Sequence, residues 1–191
     1  MKYFKTKSGH NINIELATFD DIEAIQNLNQ KWTIKSLDFI DRENGFLFCE
    51  TYKQDDLKKI IAAKELAVAS IQGQFIGYYI NDNFSHLLEK NEIAIKKIKQ
   101  EGIIASNLRV SKRTQIVIEK EFHRMGIPSA MLDFLKPYLA TKYDLLFSIG
   151  RNDNLKRIAH QNAGWDIIYE DDLNYYCIYN LKNDNRQTDE I

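Results

Sequence analysis

The chain has 191 residues, 44 % of them hydrophobic and 28 % charged, which is the composition of a folded globular protein. Lys and Arg number 26 against 27 Asp and Glu, and the net charge of −1 argues against a dedicated nucleic-acid-binding protein. No uncharged run reaches the ~20 residues of a membrane span, residues 1–5 lack the apolar region of a signal peptide, and only two cysteines occur. We therefore expect a cytoplasmic protein without a membrane anchor, a disulfide framework or a metal site.

The first third of the chain alternates between strand and helix patterns. Apolar and polar residues alternate over 12–16, which predicts a half-buried strand. Asp20 and Glu23 have the spacing of a capping box and predict the start of a helix. A short helix, a buried strand and a further helix are expected at 32–40, 45–49 and 54–63.

The middle third contains a hairpin and a long helix. Strand patterns at 66–71 and 75–80 flank a turn in which Gly73 accepts a positive φ. Apolar residues at helical spacing predict a helix over 83–101, with Gly102 as its stop signal.

The last third is built around a strong helix. The β-branched run within 115–119 predicts a central strand. Apolar residues repeat at i, i+3, i+4 and i+7 through 127–139, with Pro128 in the first turn and Pro137 expected to bend or shorten the end. A strand, a helix and two more strands are expected at 145–149, 154–163, 165–169 and 175–181. The result is an α/β domain over 1–181 with a central βαβ unit in a mixed sheet, and a polar tail over 182–191.

The loop between the central strand and the strong helix is the first candidate site. Successive backbone N–H groups in such a turn, in front of a helix N-terminus, can hold an anion or a phosphate. Gly126 allows a ligand to approach the main chain, and Arg124 adds a positive charge. An ordinary turn that uses glycine only for its geometry is the alternative, and one glycine alone favours it.

The spacing of this loop resembles the cofactor loop of the GNAT N-acyltransferase superfamily. That pattern is an apolar strand end followed by Arg/Gln-x-x-Gly-x-Gly/Ala. Ile118 occupies the strand end, Phe122 the usual aromatic position, Gly126 the middle glycine and Ile127 the usual aliphatic position.

Two positions depart from this pattern. His123 stands where Arg or Gln is usual, and Pro128 replaces the last Gly/Ala. Because Pro128 has no N–H, we expect one phosphate contact to be lost or to be taken over by Ser129.

The resemblance extends over most of the chain. Residues 14–22 look like the opening strand and first helix of the family, and 74–79 like its second hairpin strand. Residues 153–165 resemble the late segment Asn-x-x-(Ala/Ser)-x-x-x-(Tyr/His)-x-x-x-Gly-Phe, with His160 on the Tyr/His position. Strict spacing puts Asp153 on the asparagine position, so Asn152 or Asn154 would take that role.

The resemblance implies a mixed, mostly antiparallel sheet with flanking helices, and acetyl-CoA or another acyl-CoA as co-substrate without a metal. The pyrophosphate would rest on the backbone of 124–129, and the pantetheine would enter between the central strand and the 145–149 strand. The implied cofactor-binding residues are Ile116, Ile118, His123, Arg124, Met125, Gly126, Ile127, Pro128, Ser129 and Asn154.

The implied reaction is direct attack of an amine on the thioester, with main-chain N–H groups near Ile118 polarising the carbonyl. His160 is the candidate acid for the departing thiolate, since its ordinary pKa of ~6.5 lets it donate at neutral pH. A packing role for His160 is the alternative. The sequence offers no convincing base for the proton of the amine. A water relay is the alternative.

Two readings of function remain. The first is an N-acyltransferase that acts on a small-molecule or peptide amine, and the second is a non-catalytic acyl-CoA-binding module on the same fold. The helix at 83–102 is longer than the connection usual in the family. We expect it to form one wall of the acceptor pocket or a subunit contact, such as that of a homodimer.

Overall fold

The computed structural model describes residues 1–6, 8–33, 35–37, 47, 51–153 and 157–182. The α-helices in these ranges are α1 (Ile22–Lys31), α2 (Gln54–Ala62), α3 (Glu89–Gln100), α4 (Ile127–Leu139) and α5 (Arg157–Asn162). The strands are β1 (Lys2–Lys5), β2 (Asn11–Leu16), β3 (Leu66–Ile71), β4 (Gln74–Asp82), β5 (Val110–Ile118), β6 (Leu145–Arg151), β7 (Asp166–Glu170) and β8 (Asn174–Asn180). None of the described helices is long and apolar enough to cross a membrane.

The eight strands form one sheet in the order β1-β2-β3-β4-β5-β6-β8-β7. Every neighbouring pair is antiparallel except β5 and β6, which run parallel and are joined by the crossover helix α4. The predicted mixed, mostly antiparallel sheet with a central βαβ unit is therefore confirmed.

The helices cover both faces of the sheet. The apolar side of α4, which includes Met131 and Leu135, packs with Ile12 and Ile14 of β2 on one face. On the other face α1 and α2 pack against β3 and β4, while Ile98 of α3 packs with the β6 side chains. The strong 127–139 pattern thus covers the centre of the sheet, as its period predicts, and Pro137 does not end the helix before Leu139.

The hairpin is confirmed, and its turn has the expected backbone. Gln72 and Gly73 have φ of 49° and 81°, the pair of positive values that a two-residue hairpin turn requires. The strands and the short helix after residue 145 also lie within a few residues of their predicted ranges, as far as the structure describes them.

Several element boundaries differ from the sequence prediction. Strand β1 was not predicted, because Tyr3 is exposed and only Phe4 is half-buried, so the segment carries no apolar alternation. The capping box at Asp20 is wrong: the N–H and Oγ1 of Thr18 donate to Asp21 Oδ2 at 2.7 and 3.0 Å, and a 3-10 turn precedes α1. The predicted helix at 32–40 and strand at 45–49 lie largely outside the described residues.

The long helix begins later than predicted and does not line the cleft described below. The carboxylate of Asp82 accepts the N–H groups of Phe84 and Ser85 at 2.9 and 3.0 Å, which holds residues 83–85 in a turn before α3 begins at Glu89. Helix α3 packs against β6 on the sheet face opposite α4. The pocket-wall prediction for this segment is therefore wrong, and the subunit contact stays a prediction.

Candidate active site

A cleft opens where the two parallel strands separate. Strand β5 pairs with β6 only from Val110 to Lys112, opposite Leu145 to Phe147. One further link follows, since Ser148 Oγ donates to the carbonyl oxygen of Arg113 at 3.0 Å. Beyond this link the strands diverge around a cleft of about 520 Å³ that the loop after β5, α5 and β8 also line.

Most of the residues that the sequence assigned to the site lie around this cleft. Its lining includes Ile116, Ile118, His123, Arg124, Gly126, Pro128, Ser129 and His160. Two predicted residues do not face it with their side chains: Ile127 is fully buried in the core, and Met125 packs on the same core with its sulfur 3.6 Å from Ser8 Oγ. Asn154 lies outside the described residues.

The loop after β5 presents unused backbone donors at the outer end of the cleft. Arg124 and Gly126 both have positive φ, 63° and 78°, and Gly126 is the residue immediately before α4. The N–H groups of Arg124 to Ile127 and of Ser129 have no hydrogen-bond partner in the described part of the chain. Several N–H groups around a helix N-terminus form a site for an anion.

His123 fastens this loop to the end of β5. A carbonyl oxygen can only accept, so His123 Nε2 carries a proton and donates it to the carbonyl oxygen of Ile118 at 2.8 Å. The imidazole also stacks at a tilt on Trp32, with 5.2 Å between ring centroids. His123 therefore supports the loop conformation from one side of the cleft.

His160 belongs to a three-residue chain at the inner end of the cleft. Arg113 Nη2 lies 2.7 Å from His160 Nε2, and His160 Nδ1 lies 2.7 Å from the Tyr175 hydroxyl. A guanidinium only donates, so Nε2 accepts and the proton of the neutral ring sits on Nδ1, from which it is donated to Tyr175 Oη. The hydroxyl hydrogen of Tyr175 then remains available for another acceptor.

The protonation state of His160 differs from the sequence expectation. Desolvation by burial, and then the nearby charge of Arg113, lower the pKa of His160 to about 2. The expectation that an imidazolium donates at neutral pH is therefore wrong, because the ring is neutral there. A catalytic role for His160 stays a prediction, but it has to be one that a neutral ring can perform.

The Tyr175 ring is placed by a glycine on the neighbouring strand. Tyr175 pairs with Gly150 across β8 and β6, and a Cβ built on Gly150 would come within 2.5 Å of three atoms of the ring and hydroxyl. Only glycine leaves space for the ring at this position. Burial raises the pKa of Tyr175 to about 12, so the hydroxyl keeps its proton at neutral pH.

Three polar residues that line this inner end were not predicted from the sequence: Tyr79, Arg113 and Tyr175. They come from three different strands, so their meeting depends on strand pairing and not on local spacing. The glycine at position 150 is the one local signal for Tyr175, because a strand glycine often marks the close approach of another group.

No family model and no curated protein matches the sequence. Solved structures do match the fold. The GNAT domain of S. lividans PAT has a TM-score of 0.65 at 14 % identity and covers 94 % of this chain and 96 % of its own. A GNAT-family acetyltransferase from Listeria monocytogenes has a TM-score of 0.62 at 14 % identity, with coverages of 94 % and 99 %. The putative acetyltransferase yncA from Salmonella typhimurium, solved with its cofactor acetyl-CoA, has a TM-score of 0.57 at 11 % identity, with coverages of 94 % and 99 %.

Proposed function

We propose that this protein, which has the GNAT N-acetyltransferase fold, is an acyl-CoA-dependent N-acyltransferase that transfers an acetyl or related acyl group to a small-molecule or peptide amine. The observation that carries the proposal is the cleft between β5 and β6, which ends at the unused N–H groups in front of α4. One structure with the same fold holds acetyl-CoA, which supports the same class of co-substrate here.

The residues present fit coenzyme A. The N–H groups of Arg124 to Ile127 would hold the pyrophosphate, and Ser129 supplies a donor beside Pro128, which has none. The apolar side chains of Ile116, Ile118 and Ile149 line the channel that would receive the pantetheine. An acyl-CoA, when bound, supplies a thioester whose carbon–sulfur bond breaks as the amine nitrogen bonds to the carbonyl carbon.

We propose that Tyr175 Oη, and not His160, donates the proton to the departing sulfur. Tyr175 already accepts a hydrogen bond from His160 Nδ1, which leaves its own hydroxyl hydrogen available for another acceptor. The phenolate left behind would be stabilised by that same Nδ1–H and by the positive charge of Arg113. His160 is then a positioning residue, and Tyr175 is the catalytic acid.

The cleft offers no carboxylate, among the residues that the structure describes, to receive the proton that the amine releases. No Asp or Glu is among the described residues that line it. A water relay to solvent is therefore the route that we propose for this proton. The same observation favours the second function, an acyl-CoA-binding module without turnover.

Thermal unfolding with CoA ligands, followed by an activity screen, separates these functions. At about a hundredfold excess over its Kd, acetyl-CoA should stabilise the native protein by roughly 2–3 kcal/mol. A screen of peptide N-termini, lysine, polyamines and amino sugars with acetyl-CoA should then show release of free CoA. If CoA ligands bind but no amine is acylated, the second function, a binding module, is supported. If millimolar CoA causes neither a melting shift nor calorimetric heat, both functions are contradicted.

A further inference from the structure

A buried arginine at the inner end of the cleft has no paired counter-charge among the residues that the structure describes. Arg113 is 6 % exposed and lines the cleft, yet no carboxylate lies within ion-pair distance of it in the described ranges. Its Nη2 lies 2.7 Å from His160 Nε2, and its Cζ lies over the Trp165 ring, 4.7 Å from the ring centroid. The Nε–H group of Arg113 is buried and has no hydrogen-bond partner in the described part of the chain.

The groups around this guanidinium do not neutralise it. His160 is a neutral base, and burial raises the pKa of Tyr79, Tyr175 and Cys177, so each stays protonated and uncharged at neutral pH. Arginine does not lose its own proton in proteins. A buried charge without a partner is strongly unfavourable, and buried charges are normally paired.

A β-bulge turns Arg113 toward the cleft. The register between β4 and β5 shifts at Thr114, so Ile80 pairs with Gln115 whereas Asn81 pairs with Arg113. The extra residue reverses the alternation, and Arg113 shares the cleft face of the strand with Ile116. Bulges commonly redirect a side chain in this way beside functional sites.

Two residues of the neighbouring strand β4, Tyr79 and Asn81, carry further buried polar groups without partners among the described residues. The Tyr79 hydroxyl, on a residue that is 1 % exposed and lines the cleft, has no hydrogen-bond partner there. Both amide atoms of Asn81, the cross-strand neighbour of Arg113, are likewise buried and unpaired. Native proteins rarely bury several unpaired polar groups in one place unless something else completes them.

Building on the acyltransferase function, we propose that the inner end of the cleft binds a carboxylate, held by the Arg113 guanidinium with help from the Tyr79 hydroxyl. A guanidinium matches a carboxylate with paired N–H donors, and such charge-assisted bonds are the strong ones. Arg113 lies five residues before Ile118, about 16 Å along β5 from the strand end that leads into the loop with the anion site. A ligand anchored at that loop therefore brings its reacting end, and not its phosphates, to Arg113.

The carboxylate belongs either to the acyl group, as in the CoA thioester of a dicarboxylic acid, or to the amine, as in an amino acid. Titration calorimetry of the full chain with CoA, acetyl-CoA and succinyl-CoA tests the first source. Titration of the CoA-saturated protein with the twenty amino acids and their α-amides tests the second. We expect at least a tenfold preference for the carboxylate ligand in one of these two comparisons.

Variants test whether Arg113 causes the preference for carboxylate ligands. In Arg113→Gln the preference should fall below threefold while the affinity for free CoA stays within about twofold. Lys112→Gln is the matched control: it removes a positive charge from the next residue, whose Nζ is directed toward Glu92 of α3, and the preference should persist. Tyr79→Phe removes only a hydroxyl and should reduce the preference severalfold, which keeps the test available if Arg113→Gln does not fold.

The outcomes are distinguishable from failure of the acyltransferase function itself. Normal CoA binding with equal affinity for both members of every pair overturns the carboxylate site and leaves the CoA function intact. A preference that survives in Arg113→Gln and Tyr79→Phe also overturns it, because the charge would then lie elsewhere. Absence of CoA binding overturns the function on which the inference rests.

Discussion

Gly126 offers the sharpest test of the anion site, because its substitution should separate CoA binding from folding. At φ of 78° an L-residue is strained by about 1–2 kcal/mol. A Cβ built there lies 3.5 Å from the nearest atom, in the Phe4 ring, which is an ordinary van der Waals contact. Gly126→Val should therefore lower the free energy of unfolding by about 1–2 kcal/mol and Tm by about 2–8 °C.

The effect on CoA should be larger than the effect on stability. A hydrogen bond to a charged group contributes about 1.5–3 kcal/mol, and a valine beside the N–H groups of 124–127 prevents the close approach that at least one phosphate bond needs. The affinity for CoA should fall at least tenfold, since each ~1.4 kcal/mol is a factor of ten. Calorimetry of the purified variant below its Tm measures this loss directly.

Gly102 provides the matched control. It has a similar φ of 71°, a Cβ built on it would meet nothing within 4 Å, and it follows α3 at a distance from the cleft lining. Gly102→Val should lose a similar amount of stability and keep the wild-type affinity for CoA. Equal CoA affinity in both variants would refute the assignment of the phosphate site to this loop.

Three further substitutions test the inner end of the cleft. His160→Phe should lower kcat by ~10²-fold with CoA affinity within about twofold, because phenylalanine cannot donate to Tyr175, and Tyr175→Phe should add little to it since both act through one proton. A wild-type kcat in His160→Phe would show that His160 has only a packing role. Tyr79→Phe should leave the free energy of unfolding within about 0.5 kcal/mol, because the hydroxyl has no partner in the described structure; a loss above ~2 kcal/mol in urea unfolding would contradict this.

The sequence predicts those parts of the fold that depend on local patterns. Helix α4 follows from the apolar period over 127–139, and the hairpin follows from the glycine at 73, whose turn needs a positive φ. The start of α3 could not be predicted in this way. It depends on side-chain contacts: the Asp82 carboxylate accepts the N–H groups of Phe84 and Ser85, and Ser85 Oγ accepts the N–H of Leu87 in a 3-10 turn that precedes α3.

The candidate site also has a part that local sequence predicts and a part that depends on tertiary contacts. The loop around Gly126 is contiguous in sequence, so its spacing was enough to predict where an anion could bind. The position of His160 followed from a resemblance, but its neutral state depends on burial and on Arg113, which is distant in sequence and reaches the ring through a bulge. Simple alternation would place Arg113 on the face of Gln115, which is covered by α1.

The proposed carboxylate site can be distinguished from an imidazolium site by its pH dependence. The charged and titratable groups that act on Arg113 or on its neighbours Tyr79 and Tyr175 come from four elements: Tyr79 of β4, Asp133 of α4, Arg157 and His160 of α5, and Tyr175, Cys177 and Tyr179 of β8. His160 has a pKa lowered to about 2, and those of Tyr175 and Cys177 are raised to about 12 and about 11. Between pH 6 and pH 9 these three groups keep one charge state.

The carboxylate preference should therefore stay constant, within about twofold, from pH 6 to pH 9. The guanidinium of Arg113 is charged throughout this range, and the ligand carboxylate is ionised because its ordinary pKa is near ~4. A site charged by His160 would behave differently: the preference would fall as the pH rises through the ordinary histidine value of ~6.5. Calorimetric titrations at pH 6, 7.5 and 9, in buffers of equal ionic strength, measure the difference. A tenfold loss of preference between pH 6 and pH 7.5 would show that His160, and not Arg113, supplies the positive charge. It would also contradict the neutral His160 ring on which the assignment of Tyr175 as the acid depends.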